Sequence, residues 1–132
     1  MTASRIDTML ERARRRIAPR VEPAGLAAAA AAGALVVDIR PSADRRADGE
    51  LPGAHVIERI VLEWRLDPTG AHAIPEAATG APILLVCNDG YASSLAAAGL
   101  VDLGLEATDV IGGYRAWAAS RTDASARPAA AG

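Results

Sequence analysis

The sequence predicts an α/β domain in which a parallel sheet is covered by helices on both faces. Two short continuous apolar runs, "ALVVDI" at 34–39 and "APILLVC" at 81–87, have the composition of strands buried on both sides. Helical segments separate such runs, and strands that alternate with helices are joined by crossovers, which makes their pairing parallel. Length sets the scale, because 132 residues suit one domain with a real core. Apolar residues make up 51% of the chain, yet only Trp64, Tyr91, Tyr114 and Trp117 are aromatic and Phe is absent. The core must therefore be assembled from Ala, Val, Leu and Ile.

Ile6, Leu10, Ala13 and Ile17 recur at helical spacing with Asp and Arg between them. This predicts an amphipathic N-terminal helix within residues 1–20, from about Ser4 to Ala18, stopped near Pro19. Pro23 suits the first turn of a second helix, the Ala run fills it, and Gly33 fits as its C-terminal cap. After the first strand, "RPSADRRADGELPGA" at 40–54 is polar and rich in turn residues and predicts a loop. "HVI" at 55–57 reads as a short strand, and "ERIVLEWRL" as a helical segment that ends at Asp67-Pro68. A loop to Gly80 precedes "APILLVC". Residues Ala92 to Leu103 then predict a helix capped by Gly104, "TDVI" another strand broken at Gly112-Gly113, and "YRAWAAS" a last helix. Residues 121–132 are rich in Ala, Ser and Pro without apolar periodicity and read as a disordered tail, leaving 21–120 as the domain.

Composition also excludes partners. The net charge is -2, from 16 acids against 14 bases that are all Arg, which argues against nucleic acid. Glu11 and Asp7 dilute the one basic cluster, "RARRR" at 12–16, so it reads as a solvated helix face. "RARRRIAPR" followed by "LAAAAAAGALVV" imitates a targeting or membrane segment, but Pro19 and Pro23 interrupt it. The run is also shorter than the roughly 20 residues of a membrane span. A cytoplasmic protein with no membrane partner is the expectation. A single Cys forms no internal disulfide and excludes zinc sites built from several Cys, so neither metal nor cofactor is expected.

That Cys, Cys87, ends a buried strand and opens a Gly-containing turn, Asn88 to Tyr91, that feeds a helix. In parallel sheets, ligands bind beyond the carboxyl ends of the strands. Backbone N–H groups of the turn and of the first helical turn, Ala92 and Ser93 included, converge there on an anion, and a thiolate is one. Gly90 admits a backbone angle that a side chain forbids, while Asp89 opposes a thiolate unless it points outward. Two readings stand for Cys87, a small buried residue and a reactive nucleophile, and its position after strand and before helix favours the second. A hydrolase would need a His base, but His55 begins a strand and is expected at the edge opposite Cys87, while His72 lies in a loop. Sulfur transfer asks less, since the thiolate takes a sulfane sulfur as a persulfide and yields it to an acceptor.

The order "VVDIRP", "DGELPGA", "LLVCNDGYASSLAAAGLVDLG" and "DVIGGYRAW", over about Leu35 to Trp117, closely resembles a single-domain rhodanese, a sulfurtransferase. The resemblance implies a parallel five-stranded sheet with helices on both faces and a catalytic Cys, here Cys87, that carries a persulfide. It implies that Asp38, at the end of the first strand, braces the active-site turn. It also implies structural roles for the Pro52-Gly53-Ala54 turn and for Gly112, Gly113 and Trp117. The sequence departs from the family at Ala92, where members commonly carry Arg to meet anionic donors such as thiosulfate. Related phosphatases carry Arg one position later, where this chain has Ser93, so phosphoryl chemistry ranks well below sulfur transfer. Arg40, Arg59, Arg65 and Arg115 are the candidates to replace the missing charge; Arg40 and Arg115 follow strand ends.

The expected function is a sulfurtransferase moving sulfane sulfur from a small-molecule or protein donor through a Cys87 persulfide to a thiol acceptor. Its site comprises Cys87, Asn88, Asp89, Gly90, Tyr91, Ala92 and Ser93, supported by Asp38 and Arg40. A binding module that keeps the fold without turnover is the alternative, and a redox-sensing thiol a weaker one.

Overall fold

Ser4 starts the first helix, α1 (Arg5–Arg16): its side chain accepts the Asp7 N–H at 3.0 Å, and the Asp7 carboxylate accepts the Ser4 N–H at 3.4 Å. This capping box satisfies two donors that a helix start leaves open, and Arg14, Arg15 and Arg16 in the last turn complement the helix dipole. The computed structural model describes residues 3–126, those after Arg121 as backbone. The helices that follow are α2 (Leu26–Ala31), α3 (Ser42–Asp48), α4 (Leu62–Leu66), α5 (Ala92–Asp102) and α6 (Gly113–Ala126).

The strands are β1 (Leu35–Asp38), β2 (His55–Val56), β3 (Ile83–Val86) and β4 (Ala107–Asp109), paired in parallel in the order β2-β1-β3-β4. Asp38 stands beside Val86, and Leu85 beside Asp109, so three strands end at one level. The resemblance implied five strands, and four form. In place of the fifth, Val21 makes a single parallel bridge to Val110, with Val21 N donating to Asp109 O and Ile111 N donating to Val21 O, each at 2.9 Å. Pro19 and Pro23 flank Val21 and have no N–H, which keeps the pairing to one residue.

Alternation along the buried strands builds two cores. Leu35, Val37, Ile83, Leu85 and Cys87 face α1, α4 and α5, with Ala13, Ile17, Leu62, Leu66, Ala96 and Leu100. Val36, Leu84 and Val86 face α2 and α6, with Leu26, Val110 and Tyr114. Each fully buried Leu, such as Leu62, Leu66, Leu85 and Leu100, contributes about 2 kcal/mol. Ser93, Ala96 and Ala97 are wholly buried, and their small side chains bring α5 close to the sheet.

Besides a 3₁₀ turn at Pro75–Thr79 within the expected loop to Gly80, two elements depart from the sequence reading. The polar segment 40–54 was expected as a loop, but Ser42–Asp48 is helical, begun by Pro41 at its N-cap and closed by Gly49 at φ 108°. It buries no residue, so it has no apolar stripe by which to be recognised. The last helix outruns "YRAWAAS": residues 121–126 of the expected tail form its end, and 127–132 lie outside the described residues. Among the described residues no helix is long and apolar enough to cross a membrane.

Candidate active site

Cys87 follows β3 on the α5 face of the sheet and is 7% exposed. Its Sγ accepts the N–H of Gly90 at 3.1 Å and of Ser93 at 3.3 Å, and its thiol donates to Ser93 Oγ at 3.1 Å. The loop therefore curls round the sulfur with donors inward, as the Gly turn and helix start predict. Gly90 stands at φ 84°, and a Cβ there would lie 2.6 Å from the Gly112 nitrogen. The N–H groups of Tyr91 and Ala92 have no partner within the chain among the described residues and remain available to a ligand.

Behind the loop lies a buried carboxylate that the sequence reading passed over. Asp109, wholly buried at the end of β4, accepts the Ser93 and Ser94 hydroxyls on Oδ2 at 2.7 and 2.8 Å. Arg20 completes it, donating Nε to Oδ1 at 2.7 Å and Nη2 to Oδ2 at 3.2 Å. An acid inside the apolar strand "TDVI", level with the strand that ends in Cys87, was the available signal. The "RARRR" cluster is likewise not uniformly solvated, since Arg14 is half-buried against the loop, whereas Arg15 is exposed beside Glu11.

The other predicted residues fall around this centre. Asp38 is wholly buried and binds Arg40 through four contacts of 2.8–3.2 Å, including the Arg40 backbone N–H. Arg40 donates in turn to Gly49 O at 2.8 Å and to Asn88 Oδ1 at 3.5 Å, and its guanidinium lies 3.9 Å from the Tyr114 ring centre. Asp38 thus reaches the turn only through Arg40. Asn88 Nδ2 donates to Asp48 at 3.0 Å, and that bond, aided by Arg115 against partial loss of water, holds the Asp48 carboxyl below its ordinary range. Asp89 is half-exposed and paired with Arg115 at 3.1 Å, so its charge points outward from the sulfur. Asp89 first, then Asp48, raises the Arg115 guanidinium above its ordinary value.

A cleft of about 280 Å³ opens over the sulfur, lined by Cys87, Asn88, Asp89, Tyr91, Ala92, Ile39, Arg40, Asp44 and Arg59. Of the four arginines proposed to supply charge, Arg40 and Arg59 line it. Arg40 is engaged by Asp38, while Arg59 is 43% exposed and held by Glu63 at 3.0 Å. Arg65 donates to His72 O, and Arg115 serves Asp89 and Asp48, so neither reaches the cleft. His55 was expected at the opposite edge of the sheet. Instead it pairs with Val37, because β2 is short and joins only the carboxyl half of β1, and its side chain faces Glu76 at 3.9 Å. Neither His lines the cleft. Among the described residues no group of three or more His, Cys, Asp or Glu side chains is placed to hold a metal ion.

The Gly112-Gly113 pair presses the start of α6 against the loop, where Tyr114 N donates to Cys87 O at 2.8 Å and Arg115 N to Asn88 O at 3.1 Å. Gly113 stands at φ 65°, and a Cβ there would collide with the Cys87 carbonyl oxygen and lie 2.8 Å from Gly90 N. Gly113→Ala is expected to cost about 3 kcal/mol, from backbone strain and backbone-on-backbone overlap together. Gly104→Ala meets nothing within 4 Å at φ 93° and costs about 1 kcal/mol from strain alone. Urea midpoints at constant m check the difference.

The chain matches the family model for the Rhodanese-like domain over residues 22–120. No curated protein matches it. Among solved structures, a Rhodopseudomonas palustris protein of unknown function, described as a possible tyrosine phosphatase, is 30% identical with a TM-score of 0.80, covering 91% of this chain and 94% of its own. A rhodanese homolog from the extremely thermophilic bacterium Thermus thermophilus is 34% identical with a TM-score of 0.54, over 73% of this chain and 96% of its own. A thiosulfate sulfurtransferase from Pseudomonas aeruginosa is 27% identical with a TM-score of 0.60, over 76% of this chain but 18% of its own.

Proposed function

Because the chain belongs to the rhodanese-like family, we propose that it is a sulfurtransferase in which Cys87 carries sulfane sulfur from a persulfide donor to a thiol acceptor. The observation that carries this reading is the pair of N–H groups, from Gly90 and Ser93, that converge on Sγ at the floor of an open cleft. They stabilise negative charge on the sulfur without a His base. The Ser93 hydroxyl adds to them. Beside the thiol it receives the S–H and donates to Asp109; beside a thiolate it turns to donate to Sγ, and Asp109 keeps Ser94 and Arg20.

The Cys87 thiolate attacks the outer sulfur of a donor R–S–S⁻. The donor S–S bond breaks, its electron pair leaves with RS⁻, which takes up a proton, and Cys87 becomes Cys87–S–S⁻. An acceptor thiolate then attacks the outer sulfur, and Cys87 departs as thiolate. No net oxidation occurs. A reducing compartment, the cytoplasm, suits a cycle that begins from a free thiol.

Charge in the cleft selects the donor. Arg40 and Arg59 are each matched by a carboxylate, and Asp44 adds negative charge, so a dianion such as thiosulfate meets no spare cation. A persulfide brings less charge and is the favoured donor. The phosphatase possibility raised for the R. palustris protein finds less support here, because phosphoryl transfer requires a cation for the oxygens of the transferred group, and this chain has Ala92 and Ser93 at the loop positions where an Arg would supply it. A non-catalytic module is the second reading, favoured by the absence of Arg from the loop.

Transfer to a small thiol, measured with a small-molecule persulfide and with thiosulfate, tests the reading. The persulfide is expected to give the higher kcat/KM by about tenfold or more, the scale of one unmatched charge. Rates no higher than the uncatalysed ones with both donors favour the non-catalytic module. Ala92 is exposed at the cleft edge, and Ala92→Arg is expected to raise kcat/KM for thiosulfate by about tenfold while changing persulfide transfer little.

A further inference from the structure

The matched family residues begin at 22, yet two side chains that precede them grip the active-site loop. Arg14, in the last turn of α1, donates Nη2 to Gly90 O at 2.8 Å and Nε to Ser94 Oγ at 3.1 Å, and its guanidinium lies 5.4 Å from the Tyr91 ring centre. Arg20 donates Nη2 to the same Gly90 carbonyl at 3.2 Å while binding Asp109. We infer that Arg14 and Arg20 are positioning residues for Cys87, holding the Gly90 carbonyl away from the sulfur so that the loop presents its N–H groups to the cleft. The inference rests on Cys87 being the sulfur carrier.

Gly90 has no Cβ and stands at φ 84°, so its flanking peptides turn more freely than those of any other residue type. A Gly90–Tyr91 peptide turned over would aim a carbonyl dipole toward the cleft and take the Tyr91 N–H away from it, repelling the anion that both steps of transfer require. Two guanidiniums on one carbonyl oxygen oppose that turn, since charge-assisted bonds are about twice as strong as neutral ones. They also polarise the Gly90–Tyr91 amide, which strengthens the Tyr91 N–H as a donor. Ala13 of α1 and Ile17 at its C-cap pack into the same core as α5 and fix the origin of Arg14, while the Val21 bridge to Val110 fixes that of Arg20. The N-terminal helix is thereby part of the active site rather than an appendage to it.

Arg14 separates this role from stability better than Arg20, because Arg20 also neutralises the buried Asp109, whereas Arg14 has no ion-pair partner among the described residues. The test follows Cys87 alkylation by iodoacetamide across pH in wild type, Arg14→Ala, Arg14→Lys and Arg15→Ala, with thermal melting alongside. Arg14→Ala is expected to fold and to react about tenfold more slowly near neutral pH, the scale of one lost charge-assisted bond. The rise of its rate should lie at higher pH. Arg14→Lys should recover part of the rate, and Arg15→Ala, on an exposed side chain, should match wild type. Arg14→Met, which keeps the aliphatic stem, replaces the Ala variant if that one does not fold. A folded Arg14→Ala or Arg14→Met with the wild-type rate and pH profile overturns the inference. Alkylation needs no sulfur donor, so a wild-type protein that takes up no sulfur would overturn the carrier reading while the grip on the loop stayed measurable.

Discussion

Cys87→Ser is expected to abolish sulfur uptake and transfer while leaving stability within about 1 kcal/mol of wild type. Cys87 is the only cysteine in the chain, so no second thiol can take over. A hydroxyl fits the volume that Sγ leaves and accepts the same N–H bonds from Gly90 and Ser93, which preserves the loop. It also keeps its proton at neutral pH and forms no persulfide. Paired measurements decide the matter, with donor-to-thiol transfer for the chemistry and urea unfolding for the fold. Transfer by the Ser variant at the wild-type rate would show that the sulfur travels by a route that excludes Cys87.

Asp109→Ala is expected to lower stability by about 3 kcal/mol without slowing the alkylation of Cys87. The carboxylate is wholly buried and Arg20 is 13% exposed, so deleting the acid leaves a largely buried guanidinium without its counter-charge. The same change removes the acceptor of both Ser93 and Ser94, whose side chains are wholly buried. The Ser93 hydroxyl is then free to donate to Sγ, and a buried negative charge near the sulfur is gone while Arg20 stays. Urea midpoints give the stability term, and alkylation of Cys87 in the folded variant gives the reactivity term. Slower alkylation of a folded variant would show that Asp109 is needed to aim Ser93 at the sulfur.

How much of this was legible in the sequence depended on the physical signal each part leaves. The buried strands around Val37 and Leu85 announce themselves as apolar runs because both faces are covered, and the turn after Cys87 shows in Gly90 and in the small residues that follow it. α3 left no such mark, because it buries nothing and its start and stop rest on Pro41 and Gly49. The fifth strand was implied by the resemblance alone, and in this chain a single bridge at Val21 stands in its place. Asp109, Arg14 and Arg20 were missed for a different reason. Arg14 and Arg20 reach Gly90 and Asp109 from 70 to 89 residues away and Asp109 reaches Ser93 across 16, and only the packing of α1 and β4 around α5 brings them together. Local periodicity finds elements; a network between elements requires their placement. Arg40 shows the converse, since its position after a strand end marked the correct edge, while its burial against Asp38 and Tyr114 set a task other than meeting substrate.

Whether Cys87 carries sulfane sulfur is read directly from the intact mass of the protein. After incubation with a small-molecule persulfide and removal of the excess, the protein is expected to gain one sulfur atom, located on the peptide that contains Cys87 and lost again on addition of a thiol. Cys87→Ser should gain nothing. An unchanged wild-type mass after exposure to persulfide and to thiosulfate alike would mean that Cys87 is not a sulfur carrier.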